Sequence, residues 1–101
     1  MKERVVEFAP EALEDLMQIY DWIADAASPE TALGYVKRIE TFCRGMGLAS
    51  ERGHCRDNIR SGLRIVGFER RVTIAFTVSD THVTILRLFN GGQDWEKQID
   101  E

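Results

Sequence analysis

The chain has 101 residues, 44% of them hydrophobic and 30% charged, with a formal net charge of −4. That length suits one domain around a single core, and the composition excludes a disordered or low-complexity protein. No run reaches the roughly 20 apolar residues of a membrane helix. The opening Met1-Lys2-Glu3-Arg4-Val5-Val6-Glu7 carries no apolar signal core, so a cytoplasmic protein without membrane contact is expected.

Arg4-Val5-Val6-Glu7-Phe8 is a short β-type run closed by Ala9-Pro10, with the proline placed to open a helix. From there Leu13, Leu16, Met17, Tyr20, Ile23, Ala24 and Ala27 recur at helical spacing. Glu11, Glu14, Asp15, Gln18, Asp21 and Asp25 are expected on the opposite, solvated face. Ser28-Pro29-Glu30 reads as the N-cap, first position and dipole-matched acid of a second helix. Its apolar stripe is Ala32, Tyr35, Val36, Ile39, Phe42, Cys43 and Met46, fading at Gly45-Met46-Gly47. So few residues separate the helices that they form an antiparallel hairpin, and both stripes need a sheet to cover.

Residues 49–57 read as a polar loop. Three strand patterns follow: Gly62–Phe68, Arg71–Val78 and His82–Phe89, joined by hairpin-length turns. In the second, Val72, Ile74, Phe76 and Val78 alternate with Thr73, Ala75 and Thr77. In the third, strict alternation sets Val83, Ile85, Arg87 and Phe89 against Thr84, Leu86 and Leu88. Both of those faces are apolar, so this strand is expected to be central. The order β-α-α-β-β-β gives an α+β two-layer domain over residues 1–101, a helical hairpin on an antiparallel meander plus an N-terminal strand.

Charge is segregated along the chain. Glu3 to Glu30 holds eight acids against Arg4, while Arg52 to Arg87 holds seven arginines against Asp57, Glu69 and Asp80. The second region therefore suits an anionic partner or pairs with the first. Arginine supplies a planar fork for carboxylate or phosphate. Arg64, on the face opposite Leu63 and Ile65, and Arg87, between Leu86 and Leu88, are each open to two readings: an internal ion pair, or a partner contact. Arg70 and Arg71 fall at a turn and are expected to be exposed.

Catalytic chemistry finds little support. There is no nucleophile elbow, no Walker loop and no dinucleotide fingerprint, so no catalytic residue and no cofactor is assigned. His54 and His82 are the only histidines, the usual general bases of neutral-pH catalysis, and a surface role suits each. Cys43, His54, Cys55 and His82 lack the paired C-x-x-C spacing of structural zinc sites, so no metal is assigned either. Cys43 reads as a small packed hydrophobe.

Phe8-Ala9-Pro10-Glu11-Ala12 with Asp15-Leu16 and Ile19, then Ala32, Val36 and Ile39, Gly53, Ile59-Arg60-Ser61-Gly62-Leu63-Arg64 and Val83-Thr84-Ile85-Leu86-Arg87-Leu88-Phe89 occur in an order that resembles the ParE toxins of the RelE/ParE superfamily. The resemblance covers nearly the whole chain. It implies a RelE/ParE-like fold and a toxin that blocks replication by inhibiting DNA gyrase. It further implies neutralisation by a ParD-like ribbon-helix-helix antitoxin, with operator DNA met only through that antitoxin. Arg64, Arg87, Arg70, Arg71, Phe89 and Trp95 are the expected antitoxin- or target-binding residues. RelE-like relatives are instead ribosome-dependent mRNA endonucleases, using basic residues and a late tyrosine or histidine. Here no tyrosine follows Tyr35 and no lysine lies between Arg38 and Lys97, which favours the gyrase branch. The family's basic pair after the last strand is replaced by Asn90-Gly91-Gly92-Gln93-Asp94. That leaves room for a third reading, a toxin fold kept only as an antitoxin-binding module.

Overall fold

The computed structural model describes residues 3–48 and 53–91. Strand β1 (Val5–Phe8) leads into helix α1 (Pro10–Ala26), then helix α2 (Pro29–Gly45). Strands β2 (His54–Cys55), β3 (Arg64–Phe68), β4 (Val72–Val78) and β5 (His82–Asn90) follow. The helix starts are set locally: Pro10 occupies the first turn of α1, and the Ser28 hydroxyl accepts the Thr31 N–H at 3.1 Å to cap α2.

The five strands lie in the order β1-β5-β4-β3-β2. Successive strands β2 to β5 pair antiparallel, whereas β1 pairs parallel with β5, a pairing that needs the long crossover the helical hairpin supplies. β5 is thus an interior strand, as its two apolar faces require. The β2 pairing, His54 opposite Ile65 and Cys55 opposite Arg64, falls inside the stretch that reads as a polar loop. A two-residue strand carries no periodicity to detect. What permits it is Gly53, at φ +74°, where a Cβ would sit 1.9 Å from the Ile65 carbonyl oxygen.

The helices cover one face of the sheet. Leu16, Ile19, Tyr35, Ile39, Cys43 and Met46 pack there on Phe68, Val72, Ile74, Phe76, Val83, Ile85 and Leu88. On the other face a smaller cluster forms from Leu63, Ala75 and Phe89, with Ile59, Ile65 and Leu86 against it. Its cover is the tightly wound 56–63 segment, where Asp57 Oδ1 accepts the Gly62 N–H at 2.8 Å.

Strict alternation fails in β5. Ala75 pairs with Arg87 but Phe76 pairs with Ile85, leaving Leu86 as the extra residue of a β-bulge. The faces exchange at that point. Leu88 joins Val83 and Ile85 beneath the helices, while Phe89 joins Ala75 on the far side.

Cys43 lies in the main core, fully buried, and burial pushes its thiol up to about 12, while Cys55 is exposed. The folded state favours the protonated thiol, so this contribution is complete below the unfolded value of about 8.5. It is lost as pH rises from there towards 12. In native protein at pH 8, one thiol is therefore expected to react promptly with a disulfide reagent and the second only at the rate of unfolding. The urea midpoint of the wild type should fall between pH 8.5 and 11 more steeply than that of Cys43→Ala. Two equally fast thiols would contradict the burial.

Candidate functional site

α1 is rotated from the orientation its apolar stripe suggests: Leu16 is buried and Ile23 packs on the core, but the rest of the stripe is not all turned inward. Leu13 is 50% exposed and Met17 68%, whereas Asp15, expected on the solvated face, is 8% exposed. It shares the inward face with Ala12, Leu16 and Ile19, which also stand at helical spacing. A buried carboxylate needs partners, and Asp15 has three. Its Oδ2 accepts from Arg87 Nε at 2.8 Å and from the Leu88 N–H at 2.9 Å, and its Oδ1 accepts from the Arg87 terminal nitrogen at 3.2 Å.

The position of this cluster follows from strand lengths. β1 pairs with β5 from His82 to Ile85 and then turns away into α1. Leu88 lies beyond that last pairing, so its N–H has no β1 acceptor, and Asp15 provides one. Arg87 shares a face with Ala75 on the side away from the helices, where its guanidinium stacks 4.8 Å from the Phe89 ring centroid. From there its fork reaches round the β5 edge to Asp15. The carboxylate raises the guanidinium's already high pKa, chiefly through that hydrogen bond.

Of the other expected site residues, only Phe89 lies against Arg87. Phe89 is 1% exposed and serves as a core residue under the 56–63 segment. Arg64, half-buried near the opposite sheet edge, donates from a terminal nitrogen to Cys55 Sγ at 2.9 Å. Arg70 and Arg71 are exposed at the β3–β4 turn. Trp95 lies outside the described residues.

That turn is strained. Glu69 and Arg70 have φ of 50° and 61°, left-handed conformations that cost non-glycine residues on the order of 1–2 kcal/mol each. Glu69 is held there by Arg38, whose Nε and terminal nitrogen donate to its two carboxylate oxygens at 3.0 and 3.2 Å. The same contact keeps the Glu69 carboxyl below its usual range. Beside it opens a cleft of about 540 Å³ between the turn and the closed end of the hairpin, lined by Trp22, Thr31, Tyr35, Arg38, Glu69 and Arg71 among others. Arg38 also stands 5.1 Å over the Tyr35 ring. Burial raises the Tyr35 pKa, Glu69 adds to the rise, and Arg71 and Arg38 oppose it.

Trp22, Tyr35 and Arg38 were not legible as a site. Tyr35 reads as part of a stripe, Trp22 interrupts one, and Arg38 looks like a solvated cation. Only the packing of the hairpin beside the β3–β4 turn brings them to a common cleft with Arg71. The histidines remain apart: His54 is exposed on β2, while His82, on β5, has its Nδ1 2.7 Å from Thr81 Oγ1. No group of three potential metal ligands occurs among the described residues, and no helix among them is long and apolar enough to cross a membrane.

A helical hairpin on one face of a five-stranded mixed sheet, with its N-terminal strand parallel to the last, defines an α+β fold of the RelE/ParE type. The sequence profile of the ParE toxin of type II toxin–antitoxin systems, parDE, matches residues 6–95, and the chain belongs to that family. A solved structure described as a chromosomal ParDE toxin–antitoxin system from P. aeruginosa is similar at 26% identity and a TM-score of 0.76, over 87% of this chain and 96% of that one. No curated protein sequence matches.

Removing Asp15 strands both a partly buried guanidinium and a buried N–H, for which about 3–4 kcal/mol is expected. Asp15→Asn keeps one acceptor oxygen and is expected to cost about half as much. Asp15→Ala combined with Arg87→Met should recover part of the loss, since no unpaired charge remains. Urea unfolding of these proteins and of Arg87→Met alone checks the order, and an additive double variant would rule out the coupling.

Proposed function

We propose that this chain arrests growth by inhibiting DNA gyrase and is held inactive by a ParD-like ribbon-helix-helix antitoxin. The single observation that carries the reading is the family match over residues 6–95. The surfaces are compatible with it. Leu13 and Met17 on α1 and Leu33 on α2 are large exposed apolar side chains of the sort that a partner's amphipathic segment covers. Arg60, Arg70 and Arg71 make no ion pair among the described residues, which leaves them available to an acidic segment. In this reading Arg64, Arg70 and Arg71 meet the antitoxin or target, Arg87 and Phe89 hold the frame behind them, and operator DNA is met only through the antitoxin. The setting is the cytoplasm, and no cofactor takes part.

Induction without the antitoxin is expected to stop replication and start a DNA-damage response, and co-expression of the antitoxin should restore growth. Purified protein should inhibit supercoiling by gyrase. Continued replication with arrested translation, and new in-frame mRNA 5′ ends, would point to a ribosome-dependent endonuclease instead. Tight antitoxin binding with no growth defect would leave only a binding module.

A further inference from the structure

We infer that the cleft between the hairpin's closed end and the β3–β4 turn is a carboxylate-binding site for an acidic segment of the antitoxin, with Tyr35 and Arg71 as its donors. The inference rests on the toxin–antitoxin reading for the source of the segment, and on four features of the cleft for its chemistry.

The first is an orphan. Tyr35 is 7% exposed, and its hydroxyl is buried with no hydrogen-bond partner. A hydroxyl taken from water without a partner is a cost that folding alone does not explain. Phenylalanine would fill the same space without it. The second is Arg71, exposed on the cleft rim and without an ion pair among the described residues. Arg71 and Tyr35 both line the cleft. The third is the arrangement around them. Arg38 pairs with Glu69, so the two arginines and one carboxylate of the lining leave it with a net positive charge. Thr31 adds a hydroxyl to the rim. The fourth is the apolar wall of Trp22, Ile23, Ala26 and Ala27, with Trp22 58% exposed. An acidic residue next to an apolar one fits this combination, and a bare inorganic anion would leave the wall unused.

The strained turn belongs to the same site. Glu69 and Arg70 adopt left-handed φ, and Arg38 holds Glu69 in place, so Arg71 is presented at a fixed point on the rim. Such strain is retained where geometry is needed.

Tyr35→Phe separates a binding role from a structural one, because the two predict opposite signs. If the hydroxyl awaits a partner's carboxylate, the variant has the same or a higher Tm in the free toxin. Its affinity for the antitoxin falls about tenfold, the worth of one charge-assisted hydrogen bond. Arg71→Ala, at an exposed position that does not threaten folding, should weaken binding about fivefold and flatten its salt dependence. Arg71→Glu should weaken it further, whereas Arg44→Ala, at an exposed cation near the other end of α2, should stay within twofold. The measurement is calorimetric titration of the full-length toxin variants with the ParD-like antitoxin at two salt concentrations, alongside thermal unfolding. Unchanged affinity in Tyr35→Phe and Arg71→Glu, with normal wild-type binding, overturns the cleft while the toxin–antitoxin reading stands. A lower Tm for Tyr35→Phe with unchanged affinity assigns the hydroxyl a structural role and also overturns it. Failure of the wild type to bind the antitoxin at all overturns both.

Discussion

The Asp15 carboxylate resolves a mismatch between two neighbouring strands. β1 has four residues and β5 has nine, so β5 runs on past the end of its parallel neighbour. An unpaired N–H beneath a helix is costly. Asp15 takes the place of the missing strand for Leu88, and Arg87 balances the charge thereby brought inside. The bulge at Leu86 is the third part of the arrangement. By exchanging the faces of β5 it sends Leu88 into the main core and leaves Arg87 on the outer side, from which its fork reaches round the free edge. Two partly desolvated charges are not a strong source of net stability. Their effect is to fix which face of α1 meets the sheet and where along β5 it sits.

The consequence for function is a redistribution of arginines. Arg87 is committed to Asp15 and stacked on Phe89, and Phe89 closes the second, smaller core. The cations that remain outward lie on the β3–β4 turn and on the 56–63 segment, while Arg64 leans on Cys55 at the far edge. The rotation of α1 leaves Leu13 and Met17 in solvent, and Trp22 lines the cleft beside the turn. The outer surface of the hairpin is therefore more apolar than an isolated protein needs. One end of it carries a cleft with a buried, unsatisfied hydroxyl.

Much of this was readable from residues. Pro10 and Ser28-Pro29 mark both helix starts, the hairpin spacing gives antiparallel helices, and alternation in Val72–Val78 matches the buried set of β4. The order of family-like segments from Phe8 to Phe89 agrees with the profile match. Other features were illegible for identifiable reasons. In α1, Leu13-Met17-Tyr20 and Ala12-Leu16-Ile19 are overlapping stripes on one helix, and hydrophobicity alone prefers the one without an aspartate. Asp15 is tolerated inside only because Arg87, far away in sequence, is there to meet it. β2 is too short for a pattern, and the bulge in β5 reverses an alternation that looked continuous.

By itself the sequence determined the elements other than β2, their order, the α+β class and the family, because periodicity, caps and turn residues act over a few neighbouring positions. Tertiary structure alone decided which stripe of α1 is buried, where β5 changes face, and that Trp22, Tyr35 and Arg71 share a cleft. Those outcomes depend on burial energies and hydrogen-bond demands summed across segments distant in the chain. No local pattern records the partner that makes a buried aspartate cheap.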